Sequence, residues 1–172
     1  CVAPQKSWLN DINEELVNCF RVVRDDIDEL LKRLSNYYYD KNFYYKIREL
    51  DREEGGLINL DLIERAARFI YLNRTGFNGL YRVNSKGHFN VPFGRYKNPK
   101  IADNLKLKAC HHIMQGSKIT QFHFREVLSQ VKQDDFVYLD PPYQPISSTS
   151  KFTNYDKIGF GNDEQSELAD FL

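Results

Sequence analysis

Asp140-Pro141-Pro142-Tyr143 is the segment whose residue types point most directly to chemistry. It follows Phe136-Val137-Tyr138-Leu139, an apolar run rich in β-forming residues that reads as a buried strand. Open α/β sheets bind ligands beyond the carboxyl ends of their strands. An acid, two prolines and an aromatic at such an end would form a rigid polar ledge. The Asp140 carboxylate accepts a hydrogen bond, and Pro141, which has no N–H, still offers a carbonyl for a second. Tyr143 supplies a flat stacking face. These parts suit an aromatic amine, whose nitrogen is a poor nucleophile because its lone pair is delocalised into the ring. Two acceptors on its hydrogens would favour a pyramidal nitrogen and return the lone pair for attack. The structural alternative is a strand leaving into a proline-rich turn with an Asp cap.

Asp11 is a second candidate. It follows Ser7-Trp8-Leu9-Asn10, which reads as the end of a strand. An acid after the second strand of a dinucleotide-type unit hydrogen-bonds ribose hydroxyls of a nucleoside cofactor. Asn10-Asp11 read alone is rather the cap of a helix beginning near Asn13. The glycine-rich turn that accompanies such an acid would lie roughly 20 residues upstream, before Cys1.

A third feature is charge. No acidic residue stands between Glu64 and Asp103, whereas Arg65, Arg68, Arg74, Arg82, Lys86, Arg95, Lys97 and Lys100 all do. Phe77, Tyr81, Phe89, Phe93 and Tyr96 are interleaved with them. Cations and aromatics on a β-ribbon suit phosphate contact, groove entry and wedging between bases. The structural alternative is a solvated basic face.

The elements that must position these groups follow from periodicity. Leu16, Phe20, Val23, Ile27, Leu30, Leu31 and Leu34 recur at helical spacing and predict one helix with a single buried stripe. Phe43 to Leu50 predicts a shorter helix, and Leu62, Ile63, Ala66, Phe69 and Ile70 another that runs to about Asn73. Asn78-Gly79 and Ser85-Lys86-Gly87-His88 are turn signals, with Leu80 to Asn84 and Phe89 to Pro92 as arms of a hairpin. Asp103 caps a helix ending at Gly116; Ile119 to Phe122 reads as a strand, Arg125 to Val131 as a helix, and Asp163 starts a last one. Strand and helix thus alternate at both ends around a helical middle. The expected fold is an α/β sheet domain, residues 1–13 and 101–172, carrying a mostly helical insertion, residues 14–100.

Composition excludes several classes. Lys plus Arg balance Asp plus Glu at 24 each, so net charge says nothing about partners. Twelve Phe, eleven Tyr and one Trp are too many for a disordered segment. No apolar run reaches membrane-spanning length. Cys1, Cys19 and Cys110 are odd in number and widely spaced, so neither a disulfide framework nor a metal site is expected, and a reducing cytoplasm is. Cys110-His111-His112 reads as one Cys beside two His rather than a ligand cluster, because adjacent helix residues diverge. The start at Cys1 and the stop within a helical pattern at Leu172 read as an internal fragment.

The run Asn73-Arg74-Thr75-Gly76-Phe77-Asn78-Gly79-Leu80-Tyr81-Arg82-Val83-Asn84, followed by Phe89-Asn90-Val91-Pro92-Phe93-Gly94-Arg95-Tyr96, resembles the target-recognition hairpin of Dam-type DNA adenine methyltransferases. Asp140-Pro141-Pro142-Tyr143 and the Ser147, Thr149, Phe152, Thr153, Tyr155 loop resemble their catalytic motif, and Asp11-Ile12-Asn13 is similar to their ribose-binding acid. The resemblance implies a partial Rossmann-like methyltransferase sheet with an inserted recognition domain. It implies transfer of methyl from S-adenosylmethionine, without metal, to a flipped adenine of double-stranded DNA within GATC. By carry-over Asp140, with Pro141 and Pro142, grips the target amine and Tyr143 stacks on the base. Asp11, His123 and Asp140 face the cofactor; His123 stands in Gln121-Phe122-His123-Phe124, where the family commonly has an acid before Phe. Arg82 reads guanine, bidentate on its O6 and N7 edge. Phe77, Asn78, Leu80 and Pro92 contact or wedge bases, and Arg74, Asn84, Arg95, Lys97, Ser147 and Thr149 complete the DNA-binding set. A bacterial, archaeal or phage cytoplasm is the implied setting, with a cognate restriction endonuclease compatible but not in direct contact. Competing readings are a methyltransferase of an RNA base or a glutamine side chain, and a non-catalytic DNA-binding remnant.

Overall fold

The computed structural model describes residues 6–141 and 160–170. Its sheet, among the described residues, is one parallel pair: β1 (Trp8–Asn10) beside β2 (Lys118–Thr120), with Leu9 opposite Ile119. Parallel neighbours need a crossover, and here residues 11–117 provide it. Side chains reinforce so short a ladder. Trp8 Nε1 donates to Thr120 Oγ1 at 2.6 Å, Thr120 Oγ1 donates to Asn10 Oδ1 at 2.8 Å, and the Lys118 ammonium sits 3.6 Å from the centre of the Trp8 ring.

The crossover opens with α1 (Glu14–Asp25), capped by Asn13, whose side chain accepts from the Glu15 and Leu16 amides. Glu14 and Glu15 then meet the positive end of the helix dipole. The apolar stripe from Leu16 to Leu34 predicted one helix, but two are present: α2 spans Ile27–Leu34. At Asp26 the backbone leaves helical geometry (φ −131°, ψ 39°), its N–H closing α1 on the Val22 carbonyl and its own carbonyl receiving Leu30 N–H. Ile27, Leu30 and Leu34 stay buried, so the period of the pattern passes through the break unchanged.

Next come α3 (Lys41–Glu49), capped by Asp40, and α4 (Leu62–Thr75), capped by Asp61. Fully buried Ala66 and Ala67 let α4 lie close against α1 and α2, forming one core with Cys19, Val22, Val23, Leu30 and Leu34. A second core joins α3, α4 and the following ribbon through Tyr44, Ile47, Tyr71, Leu72, Phe89 and Val91. Beyond it, α5 (Asn104–Met114) is capped by Asp103 as predicted, with Gly116 at φ +75° after its end. Two short helices, α6 (Phe124–Leu128) and α7 (Asn162–Asp170), complete the described α-helices.

The expected hairpin is present as an irregular antiparallel ribbon, held by isolated bridges Val83 to Phe89 and Gly76 to Phe93. The expected buried strand at Phe136 to Leu139 is not. Phe136 is 92% and Tyr138 78% exposed, and no strand is formed there. A strand buried on both faces needs elements packed over both; among the described residues none covers Phe136 or Tyr138, and no ladder partner is present.

Candidate functional site

The ribbon is built so that one face is core and the other is presented. Asn84 N–H donates to the His88 carbonyl at 2.8 Å and Asn90 N–H to the Arg82 carbonyl at 3.0 Å, which sets Arg82 opposite Asn90. Side chains alternate along such arms. Phe89 and Val91 are buried, and Tyr81 packs 5.1 Å from Phe69 and 5.6 Å from Phe89. Leu80, Arg82 and Asn84 on one arm, and Asn90 and Pro92 on the other, therefore take the opposite face. Four residues singled out in the sequence, Leu80, Arg82, Asn84 and Pro92, thus share one face through the pleat, and Asn90, which was not singled out, joins them there.

That turn is exposed but firmly held. Phe77 is 49% and Leu80 48% exposed. Asn73 Nδ2 donates to the Gly79 carbonyl at 2.7 Å, and Phe77 N–H to the Pro92 carbonyl at 2.9 Å. The Tyr96 hydroxyl donates to the Gly76 carbonyl at 2.8 Å and accepts Gly79 N–H at 3.1 Å. The Tyr39 hydroxyl donates to the Gly94 carbonyl at 2.7 Å and accepts Tyr96 N–H at 2.8 Å. Asn78 occupies the left-handed region (φ 53°), which Asn tolerates better than most residues. At Gly76 a Cβ would stand 2.6 Å from the Leu72 carbonyl oxygen, so only glycine lets the chain pass. Phe77 and Leu80 thus stand exposed on a constrained backbone.

Below the ribbon lies a polar clamp that the sequence did not reveal. Arg68 and Asp51 pair at 2.8 Å with side chains 5% and 6% exposed. The Asp51 carboxylate also takes the Phe89 N–H at 2.8 Å and pairs with Arg52, while Arg52 Nη2 donates to the Phe89 carbonyl at 2.6 Å. Arg68 further donates to the Ile47 and Arg48 carbonyls at 3.0 and 2.9 Å. The Tyr44 hydroxyl donates to the Val91 carbonyl at 2.9 Å, and burial raises its pKa.

The basic stretch is accordingly of two kinds. Arg65 and Arg68 are interior ion-pair residues, Arg65 bridging to Glu14 and Glu15, and the reading of the whole stretch as ligand-facing is corrected for both. Both sit on the core side of α4, a fact that a charge count ignores. Arg74 is exposed, with its guanidinium on the Lys100 carbonyl at 3.2 Å. Arg95 and Lys97 are exposed after the ribbon.

A second locus lies at the carboxyl ends of β1 and β2. Asp11 follows β1 and accepts Asn13 N–H at 2.7 Å on Oδ1. His123 follows β2 and caps α6, its ring nitrogen facing Arg125 N–H at 3.4 Å and its own N–H held by Glu126 in a capping box. Gln121 Nε2 ties the two loops together through the Ile12 carbonyl at 3.2 Å. Tyr81 reaches this locus from the ribbon: burial raises its pKa, and a side-chain hydrogen bond with Asn13 opposes that. Asp11 and the half-buried His123 thus stand on loops that follow the two parallel strands. Asp140 and Pro141 are exposed at the end of a segment without regular secondary structure. Pro142, Tyr143, Ser147 and Thr149 lie outside the described residues, as do Phe152, Thr153 and Tyr155. Among the described residues no three His, Cys, Asp or Glu side chains form a group able to hold a metal ion. None of the described helices is long and apolar enough to cross a membrane.

A mixed helix and strand protein, with a parallel strand pair ending in an acid and a clamped ribbon presenting apolar, cationic and amide side chains, is a class that comparison makes definite. The chain belongs to the D12 class N6 adenine-specific DNA methyltransferase family, whose model matches residues 2–172. It is 43% identical over 173 residues to the type II methyltransferase M1.LlaDCHI of Lactococcus lactis subsp. cremoris, covering 98% of this chain and 61% of that protein. It is 44% identical over 176 residues to the type II methyltransferase M.MjaIII of Methanocaldococcus jannaschii, covering 97% and 60%. With the DNA adenine methylase of Escherichia coli K12 it shares 32% identity over 169 residues, 94% and 58% of the two chains. The chain thus spans about three fifths of the length of these curated relatives.

Proposed function

We propose that the protein transfers a methyl group from S-adenosylmethionine to the exocyclic N6 of an adenine in duplex DNA, within GATC. Family membership supports the reaction, and the observation that carries the substrate is the clamped ribbon with Phe77, Leu80, Arg82, Asn84 and Pro92 on its exposed side. In this reading residues 14–100 recognise DNA, while residues 1–13 and 101–172 belong to a Rossmann-like catalytic sheet. Phe77 wedges into the stack, and Asn78, Leu80 and Pro92 contact bases. Arg82 pairs with guanine, and Arg74, Asn84, Arg95, Lys97, Ser147 and Thr149 meet the DNA around it.

The target adenine leaves the helix at a cost of a few kcal/mol, because its amino group is not reachable inside the duplex. Tyr143 stacks on it. The Asp140 carboxylate and the Pro141 carbonyl accept the two amino hydrogens, with Pro142 stiffening the ledge. The nitrogen becomes pyramidal and its lone pair localised. Asp11, His123 and Asp140 hold the methyl donor, which supplies a carbon already activated as a sulfonium. No covalent enzyme intermediate is required. A restriction endonuclease of the same system would meet this protein only through a shared DNA sequence.

Labelled methyl transfer by the purified protein tests the proposal. Transfer to a GATC duplex, and at least a hundredfold less to duplexes altered at any one of those base pairs, to RNA and to protein, is expected. Equal transfer to the altered duplexes removes the recognition sequence; transfer to RNA or protein in preference removes the substrate.

A further inference from the structure

Arg82 and Asn90 meet twice across the ribbon: backbone to backbone, with Asn90 N–H on the Arg82 carbonyl at 3.0 Å, and side chain to side chain, with Arg82 Nε on Asn90 Oδ1 at 2.7 Å. Asn90 cannot drift from this position. Its neighbours Phe89 and Val91 are both buried, and both are gripped through their backbones, Phe89 by Asp51 and Arg52, Val91 by Tyr44. A residue between two such anchors on an extended arm must point to the other face. The sense of the side-chain bond is fixed by chemistry, since a guanidinium only donates, so the amide oxygen must face it.

A guanidinium carries five donors in a rigid plane. Once Nε is committed to Asn90, the edge that remains for a bidentate acceptor pair is the one formed by the two terminal nitrogens. We propose that Asn90 is a positioning residue for specificity: it fixes the plane and the reading edge of Arg82, and so decides how sharply that arginine discriminates its base pair. An Arg released from this tether would swing among rotamers, several of them directed at phosphate, where it contributes affinity without discrimination. The inference rests on the assignment of Arg82 to a guanine.

Binding of the purified protein to a GATC duplex, and to duplexes changed at each guanine-bearing pair, is measured by fluorescence anisotropy over a range of salt. The unchanged protein is compared with Arg82→Ala, Asn90→Ala and Asn90→Asp. Asn90→Ala is expected to lower the specificity ratio at the Arg82 base pair about five- to tenfold, a part of what a bidentate pair supplies, with little change on already altered duplexes. Asn90→Asp keeps an acceptor for Nε, so it should retain the ratio while binding every duplex more weakly through repulsion from phosphates. Two outcomes overturn the proposal and leave the reading of Arg82 standing. One is uniform weakening by Asn90→Ala with a salt slope reduced by about one, the mark of a phosphate contact; the other is an unchanged ratio. An unchanged ratio in Arg82→Ala instead removes the assignment on which the inference depends.

Discussion

The ribbon at residues 76–93 and the segment at residues 132–141 carry motifs of comparable clarity, yet their physical states differ. In the ribbon, Phe89 and Val91 are buried in a core shared with α3 and α4, with Tyr81 and Phe93 packed against it, and the backbone of Phe89 is held at both its N–H and its carbonyl. In the other segment, Phe136 and Tyr138 stand in solvent, and among the described residues no ladder supports Asp140. The contrast is one of partners. Asp51, Arg52, Arg68, Tyr39 and Tyr44, which shape the ribbon, come from helices and turns within a few dozen residues of it, whereas a strand end is positioned by neighbouring strands.

The comparison is sharpened most by breaking the clamp. Asp51→Ala leaves Arg68 buried without its carboxylate, and loss of one partner from a buried pair costs about 3–5 kcal/mol; the urea midpoint should fall accordingly. A loss below about 1 kcal/mol would mean that the pair contributes little to the ribbon. Next in size is Asp140→Ala, which should lower methyl transfer about a hundred- to a thousandfold, the scale of losing one positioned hydrogen-bond partner in a transition state. DNA binding should survive, and normal turnover would take Asp140 out of the mechanism. Gly76→Ala forces a Cβ against the Leu72 carbonyl oxygen and should destabilise by about 1–3 kcal/mol, read as a lower melting temperature with weaker DNA binding. Smallest is Phe136→Ser: an exposed side chain should change stability by less than about 0.5 kcal/mol. A loss of 2 kcal/mol or more would show that this segment packs after all, and the contrast would vanish.

Much of this was legible beforehand. Helical periodicity located α4 and the α1–α2 stretch, read as one helix, because an amphipathic helix writes its buried face at fixed spacing; α5 has no buried residue, and Leu105 and Ile113 stand exposed on it. Asp103 and Gly116 bracketed α5 because caps are local chemistry. The break at Asp26 was not legible, since the buried stripe continues through it. Arg65 and Arg68 were grouped with the surface cations because a one-signed run does not tell which face of a helix each member occupies. Asn90 could have been found by counting alternate residues back from Pro92; Asp51 carried no such signal.

The sequence by itself determined the family, the motifs and the local elements, since these depend on residue type and on spacings of a few positions. Only the tertiary structure decided which arginines are interior, which face of the ribbon is offered, and that Asn90 lies on Arg82. Those outcomes depend on contacts between residues tens of positions apart, where burial and ion pairing select one arrangement among many that the same local pattern allows.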